Sequence, residues 1–132
     1  MGQGKKILVV DDEPQLALAV KIRLQSRGYE VITAHDGKKA IELLDTEKPD
    51  LVILDVLMPV MDGYSCLREI NVRIGRGKLP IIILTARDRM KDLFELEGIE
   101  DYIIKPFDHE DLLLRIERAM KRRADNRVPG SA

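Results

Sequence analysis

Four short apolar runs in this 132-residue chain each end on residues able to do chemistry. Residues 7–10 run into Asp11, Asp12 and Glu13, and residues 51–54 into Asp55. Residues 80–84 run into Thr85 and Ala86, and residues 102–104 into Lys105 and Pro106. Carboxylates brought together repel, by about 4 kcal/mol per pair at 4 Å and an effective dielectric near 20. A cation relieves this, and a few carboxylates with room for waters suit Mg²⁺. A carboxylate beside such an ion, with a lysine and a threonine close by, is an arrangement for phosphoryl transfer. The carboxylate itself can be the acceptor, giving an aspartyl-phosphate. Asp55, on the central run, is the expected acceptor. Lys105 would pair with a phosphoryl oxygen as a point charge, and the Thr85 hydroxyl would donate to another. Each aspartate taken singly reads as an ordinary strand-end turn former; the joint placement argues for a site.

That placement needs a fold that delivers the ends of these runs to one edge. A fifth apolar run, residues 31–34, completes the set. The runs are mostly continuous rather than alternating and rich in Val and Ile, as in parallel strands covered on both faces. Helical patterns lie between them. Leu16, Val20 and Leu24 recur every fourth residue, and Gly28 follows as a stop. Asp36 is placed to cap a helix carrying Ala40, Ile41 and Leu44. A third pattern holds Leu67, Ile70 and Ile74. A short fourth surrounds residues 89–97 and is stopped by Gly98. The last has Asp108 as cap, with Leu112, Leu113, Ile116, Ala119 and Met120 facing inward. Strand–helix alternation predicts an α/β domain with helices on both faces of a parallel sheet, and five units fit the flavodoxin-like order 2-1-3-4-5. Ligands then bind at the carboxyl ends of the strands, at the switch point between strands 1 and 3.

Composition sets the surroundings. The apolar fraction is 45%, and 22 basic against 23 acidic residues leave a net charge of -1, which gives no general pull toward nucleic acid or membrane. The single cysteine, Cys66, allows no internal disulfide and no thiolate metal cluster. It is expected to be a partly buried helix residue, in a protein of the reducing cytoplasm. No leader is apparent, and no apolar run approaches the roughly 20 residues that span a bilayer. His35 and His109 are expected to lie away from the site. The basic run Lys121-Arg122-Arg123 suits the end of a helix by its dipole alone. A domain over residues 1–123 is expected, with a disordered tail over 124–132 that is too short to be an output module; the chain is either a stand-alone unit or part of a longer regulator.

The chain resembles the response-regulator receiver family of two-component signalling over residues 5–123. The segments carrying the likeness are Val9-Val10-Asp11-Asp12-Glu13-Pro14, Leu54-Asp55-Val56-Leu57-Met58-Pro59, Met61-Asp62-Gly63, Leu84-Thr85-Ala86-Arg87 and Asp101-Tyr102-Ile103-Ile104-Lys105-Pro106-Phe107. The resemblance implies that Asp12, Asp55 and the Leu57 carbonyl bind Mg²⁺, with Asp11 helping through water. It implies that the N–H groups of Val56 and Ala86 hold phosphoryl oxygens. Thr85 and Tyr102 would be the switch pair, and Lys105-Pro106 a cis peptide. The donor would be a sensor histidine kinase or a phosphotransfer protein. The surface formed by the fourth helix, fifth strand and last helix would control a downstream partner or output domain.

Finer expectations follow from departures within the family. Leu57 and Arg87 would flank the path of the hydrolytic water, and an apolar Leu57 cannot orient it, so slow self-dephosphorylation is expected. Glu100, Asp101 and Arg115 match a charge pattern through which one branch dimerises, whereas Glu117 stands where that branch has a basic residue. Three rivals remain. An aspartyl phosphatase or phosphotransferase would need a second acid or base where Leu57 stands. A flavin carrier would be repelled by Asp-Asp-Glu-Pro. A receiver-like module that acts without phosphate would not need the Asp12, Asp55, Thr85 and Lys105 set.

Overall fold

A computed structural model describes residues 4–55, 63–75, 77–85 and 98–126. It contains strands β1 (Lys6–Val10), β2 (Glu30–Ala34), β3 (Leu51–Asp55), β4 (Ile81–Thr85) and β5 (Asp101–Ile104). The helices are α1 (Pro14–Ser26), α2 (Gly37–Glu47), α3 (Gly63–Ile74) and α4 (His109–Asn126). The expected fourth helical pattern, residues 89–97, lies outside the described residues. All sheet pairings are parallel, and the strand order is β2-β1-β3-β4-β5, as the alternation of runs predicts.

Side chains alternate across a strand, so the sheet separates two cores. Leu8, Val10, Val52, Leu54, Ile81 and Ile83 pack with Ala40, Ile41 and Leu44 of α2 and with Cys66, Leu67 and Ile70 of α3. Ile7, Val9, Leu51, Ile53, Ile82 and Leu84 pack on the other face, against Ala17, Val20 and Leu24 of α1 and Leu112, Leu113 and Ile116 of α4. Burial on both faces is why the strands read as continuous apolar runs. Cys66 is fully buried, deeper than its sequence context suggested, because it lies on the inner side of α3 with Sγ 3.9 Å from the Gly37 carbonyl.

The ends of the elements follow their local chemistry. Pro14 opens α1, where its missing N–H costs nothing. The chain leaves α1 through Gly28 at φ 90°, a left-handed conformation that glycine adopts without penalty. The Asp36 carboxylate accepts the Lys39 N–H at 2.8 Å and caps α2. Replacing Asp36 by Ala is expected to lower the unfolding free energy by about 1 kcal/mol in urea titration, and Asp36→Asn by much less, since Asn caps as well. Asp108 does the same for α4, accepting from Glu110 N–H at 3.0 Å. That helix continues to Asn126, three residues beyond the expected domain end.

Ion pairs correct one expectation and place a second residue. Arg122 does more than complement the helix dipole: it meets Glu100 at 2.9 Å. Glu117 reaches Arg27 at the end of α1, 3.8 Å away, and so stands on the flank of α4 opposite Arg115, which bonds Asp101 of β5 at 2.7 Å. Within one chain, Glu117 thus pairs toward α1 and Arg115 toward β5. No helix among the described residues is long and apolar enough to cross a membrane.

Candidate functional site

The sheet register builds the site. Val10 of β1 is level with Leu54 of β3, so one residue further Asp11 stands beside Asp55. On the far side, Thr85 of β4 is level with Ile104 of β5, and Lys105 follows. Asp11 and Asp55 are buried, and Asp12 is exposed. One carboxylate oxygen from each lies within 4.8 Å of the others. Lys105 reaches across the edge: its Nζ is 3.3 Å from Asp55 Oδ1, 3.5 Å from Asp11 Oδ2 and 3.5 Å from Glu13 Oε1. The Lys105-Pro106 peptide bond is cis.

The Lys105 ammonium feels two opposing influences. Burial disfavours its charge, and the carboxylates of Asp55, Asp11 and Glu13 more than offset that, raising its pKa above the ordinary lysine value. One ammonium against so many carboxylates still leaves the edge negative. Two of the carboxylates are buried, where uncompensated charge is costly. An all-oxygen donor set with surplus negative charge fits a hard divalent cation such as Mg²⁺. The oxygens of Asp11 are already engaged, Oδ1 by the Glu13 N–H at 2.9 Å and Oδ2 by Lys105. Asp55 shares the same lysine through Oδ1 at 3.3 Å, so Lys105 ties the two buried carboxylates together.

Asp11 is also held by its backbone. Its N–H donates to the Ala34 carbonyl at 3.0 Å, and its own carbonyl lies 3.1 Å from Nδ1 of His35. His35 therefore stands at the site's edge, contrary to the sequence expectation. It is reached through β2, whose Ala34 is level with Val10. His109 opens α4 with its ring 5.3 Å from that of Phe107, edge to face. Its Nδ1 is buried with no partner among the described residues. Glu13, Leu16, Lys105, Pro106, Phe107 and His109 line an open hollow of about 450 Å³. The sequence places Glu13 at this edge, and its length lets it reach Lys105.

Other expected residues are placed less fully. Tyr102 lies on β5, partly buried against the α2/α3 core, and its carbonyl accepts from Arg115 at 3.1 Å. Thr85 ends β4. Val56, Leu57, Ala86 and Arg87 lie outside the described residues.

Comparison with known proteins agrees with this geometry. A family model described as the response regulator receiver domain matches residues 7–117. The chain is similar to the probable transcriptional regulator ycf27 of Cyanophora paradoxa, 44% identical over 124 residues that cover 92% of this chain and 50% of that protein. It is similar to the alkaline phosphatase synthesis transcriptional regulatory protein PhoP of Bacillus subtilis, 41% identical over 130 residues covering 97% and 53%. The chain thus spans about half the length of the curated relatives it matches. Its fold superposes on the receiver domain of sensor histidine kinase PA1611 from Pseudomonas aeruginosa PAO1 with a TM-score of 0.81 and 32% identity. That match covers 89% of this chain and 98% of the other, whose structure has a magnesium ion coordinated in the active site cleft.

Proposed function

The chain belongs to the response regulator receiver domain family of two-component signalling, and from that premise we propose that Asp55 accepts a phosphoryl group in a reaction that requires Mg²⁺. The observation that carries this reading is the meeting of three carboxylates, two of them buried, with Lys105 at 3.3 Å from Asp55. Asp12 and Asp55 would hold the ion directly together with the Leu57 carbonyl, and Asp11 through water. When bound, the ion would neutralise charge on the phosphoryl group in transit.

The chain's own residues do the rest. An oxygen of Asp55 bonds to phosphorus as the donor–phosphorus bond breaks and its electron pair leaves with the donor, and Lys105, paired with that carboxylate before transfer, follows the charge onto a phosphoryl oxygen. The N–H groups of Val56 and Ala86 hold the remaining oxygens. The Thr85 hydroxyl turns toward the new group, and Tyr102 follows, changing the surface of β5 and α4 offered to an output domain or partner. A sensor histidine kinase or phosphotransfer protein supplies the phosphoryl group. Leu18 and Ile22, 55% and 57% exposed one turn apart on the outer side of α1, offer it an apolar strip.

The direct test is incubation with acetyl phosphate and Mg²⁺ followed by intact mass. The expected result is the gain of one phosphoryl group, lost when the metal is chelated; no gain, or a gain indifferent to chelation, counts against the reading. The lifetime of that label is a second expectation. With an apolar Leu57 two residues after the acceptor, hydrolysis should be slow. Leu57→Asn, which can orient a water, should shorten the half-life by roughly tenfold, less than the hundredfold or more of a full general acid or base. An unchanged half-life in that variant would remove Leu57 from the account.

A further inference from the structure

Glu13 sits between two features of the site. Its carboxylate lies 3.5 Å from Lys105 Nζ, which itself lies 3.3 Å from Asp55 Oδ1. One lysine therefore bridges Glu13 to the acceptor. The Glu13 side chain is 64% exposed and lines the hollow of about 450 Å³ together with Leu16, Pro106 and Phe107, which are apolar, and with Lys105 and His109. It is the N-cap residue of α1 yet its side chain makes no capping hydrogen bond. Only its backbone carbonyl serves the helix, accepting the Ala17 N–H at 3.0 Å. The carboxylate is thus not needed for the fold. It places a negative charge at a largely apolar hollow that shares Lys105 with Asp55.

Resting on the reading of Asp55 as acceptor, we propose that Glu13 sets the choice of phosphoryl donor, favouring a protonated, nitrogen-linked imidazole phosphate over an acyl phosphate. The hollow takes the flat apolar ring of the leaving group, and Glu13 faces its charge. With the imidazole donor, Asp55 oxygen bonds to phosphorus as the phosphorus–nitrogen bond breaks. The electron pair returns to nitrogen, and the imidazolium ring departs as neutral imidazole with its other N–H intact. The positive charge is present in the bound donor and fades as the bond breaks, so Glu13 acts on binding. With an acyl phosphate the breaking bond leaves its electrons on a carboxylate oxygen. Negative charge then grows at the leaving group, and Glu13 opposes the chemical step.

The two donors therefore respond to the same substitution in opposite ways and in different constants. The probes are monophosphoimidazole and acetyl phosphate, each with the intact chain and Mg²⁺, read by mass. Glu13→Gln should raise the apparent KM for monophosphoimidazole by about threefold without lowering kcat, and raise kcat for acetyl phosphate by about threefold. The ratio of the two kcat/KM values then moves by roughly tenfold, the size expected of one solvent-exposed charge. Glu13→Lys should move the ratio further in the same direction, and 0.5 M salt should shrink both effects by screening.

Equal acceleration of both donors would mean that Glu13 only restrains Lys105, and would overturn the proposal. So would an unchanged ratio in both variants while Asp55 is still labelled. Absence of Asp55 labelling in the wild-type chain with either donor would instead overturn the acceptor reading on which the proposal rests.

Discussion

Asp55→Asn is expected to abolish phosphoryl uptake from any donor, leaving the intact mass unchanged after incubation with phosphodonor and Mg²⁺. The amide keeps the size of the side chain and loses the anionic oxygen that attacks phosphorus. Its effect on stability should be small, which separates a chemical loss from a folding one. Breaking a buried pair usually costs about 3–5 kcal/mol because a charge is left alone. Here the lysine left behind keeps Asp11 and Glu13 within 3.5 Å. Removing one of the crowded carboxylates also relieves repulsion. The thermal midpoint should therefore stay within a few degrees of wild type. Labelling of the variant at the wild-type rate would place the acceptor elsewhere.

The second large effect concerns the metal. Mg²⁺ alone, with no phosphodonor, should stabilise the fold, because it binds the assembled carboxylates and not the unfolded chain. At a hundredfold excess over the dissociation constant the gain is about 2.7 kcal/mol, a rise in thermal midpoint on the order of 8 °C for a domain of this size. Asp12 is the exposed member of the cluster and has no role in the core. Asp12→Ala should abolish this rise by weakening affinity at least about 100-fold, while the midpoint without metal stays equal or increases slightly as repulsion falls. A full Mg²⁺-dependent rise in Asp12→Ala would mean that the ion is held by other residues.

Much of this molecule can be read from its sequence because parallel strands covered on both faces leave little ambiguity. Residues 7–10 and 51–54 are apolar at every position, and both pack into the two cores. The edge residues were legible for the same reason, since a strand's end fixes where the next side chain emerges. What escaped depends on lateral position and reach. His35 follows β2, the one strand outside the consecutive neighbours 1, 3, 4 and 5, and only the pairing of Ala34 with Val10 reveals that it abuts Asp11. Glu117 and Arg115 are two residues apart on α4, which places them on opposite flanks, and a linear pattern of charges does not say which flank faces β5. Arg122 sits where a helix dipole alone would favour it, and its pairing with Glu100 needs the fold to bring β5 alongside. Long side chains make such contacts across elements, and spacing along the chain carries no record of them.

The ion pairs around Arg27 bear on how the last helix can behave as a mechanical part. Arg27 holds Glu110 at 3.1 Å and Glu117 at 3.8 Å, two points about two turns apart along one side of α4. Exposed pairs of this kind add little to stability, but a rod pinned at one point can swivel, whereas a rod pinned at two on the same side cannot. The opposite side is pinned twice as well, by Arg115 to Asp101 and Arg122 to Glu100. Rolling or pivoting α4 would have to break at least two of these pairs at once. A signal that turned this helix would therefore have to supply the free energy to part them.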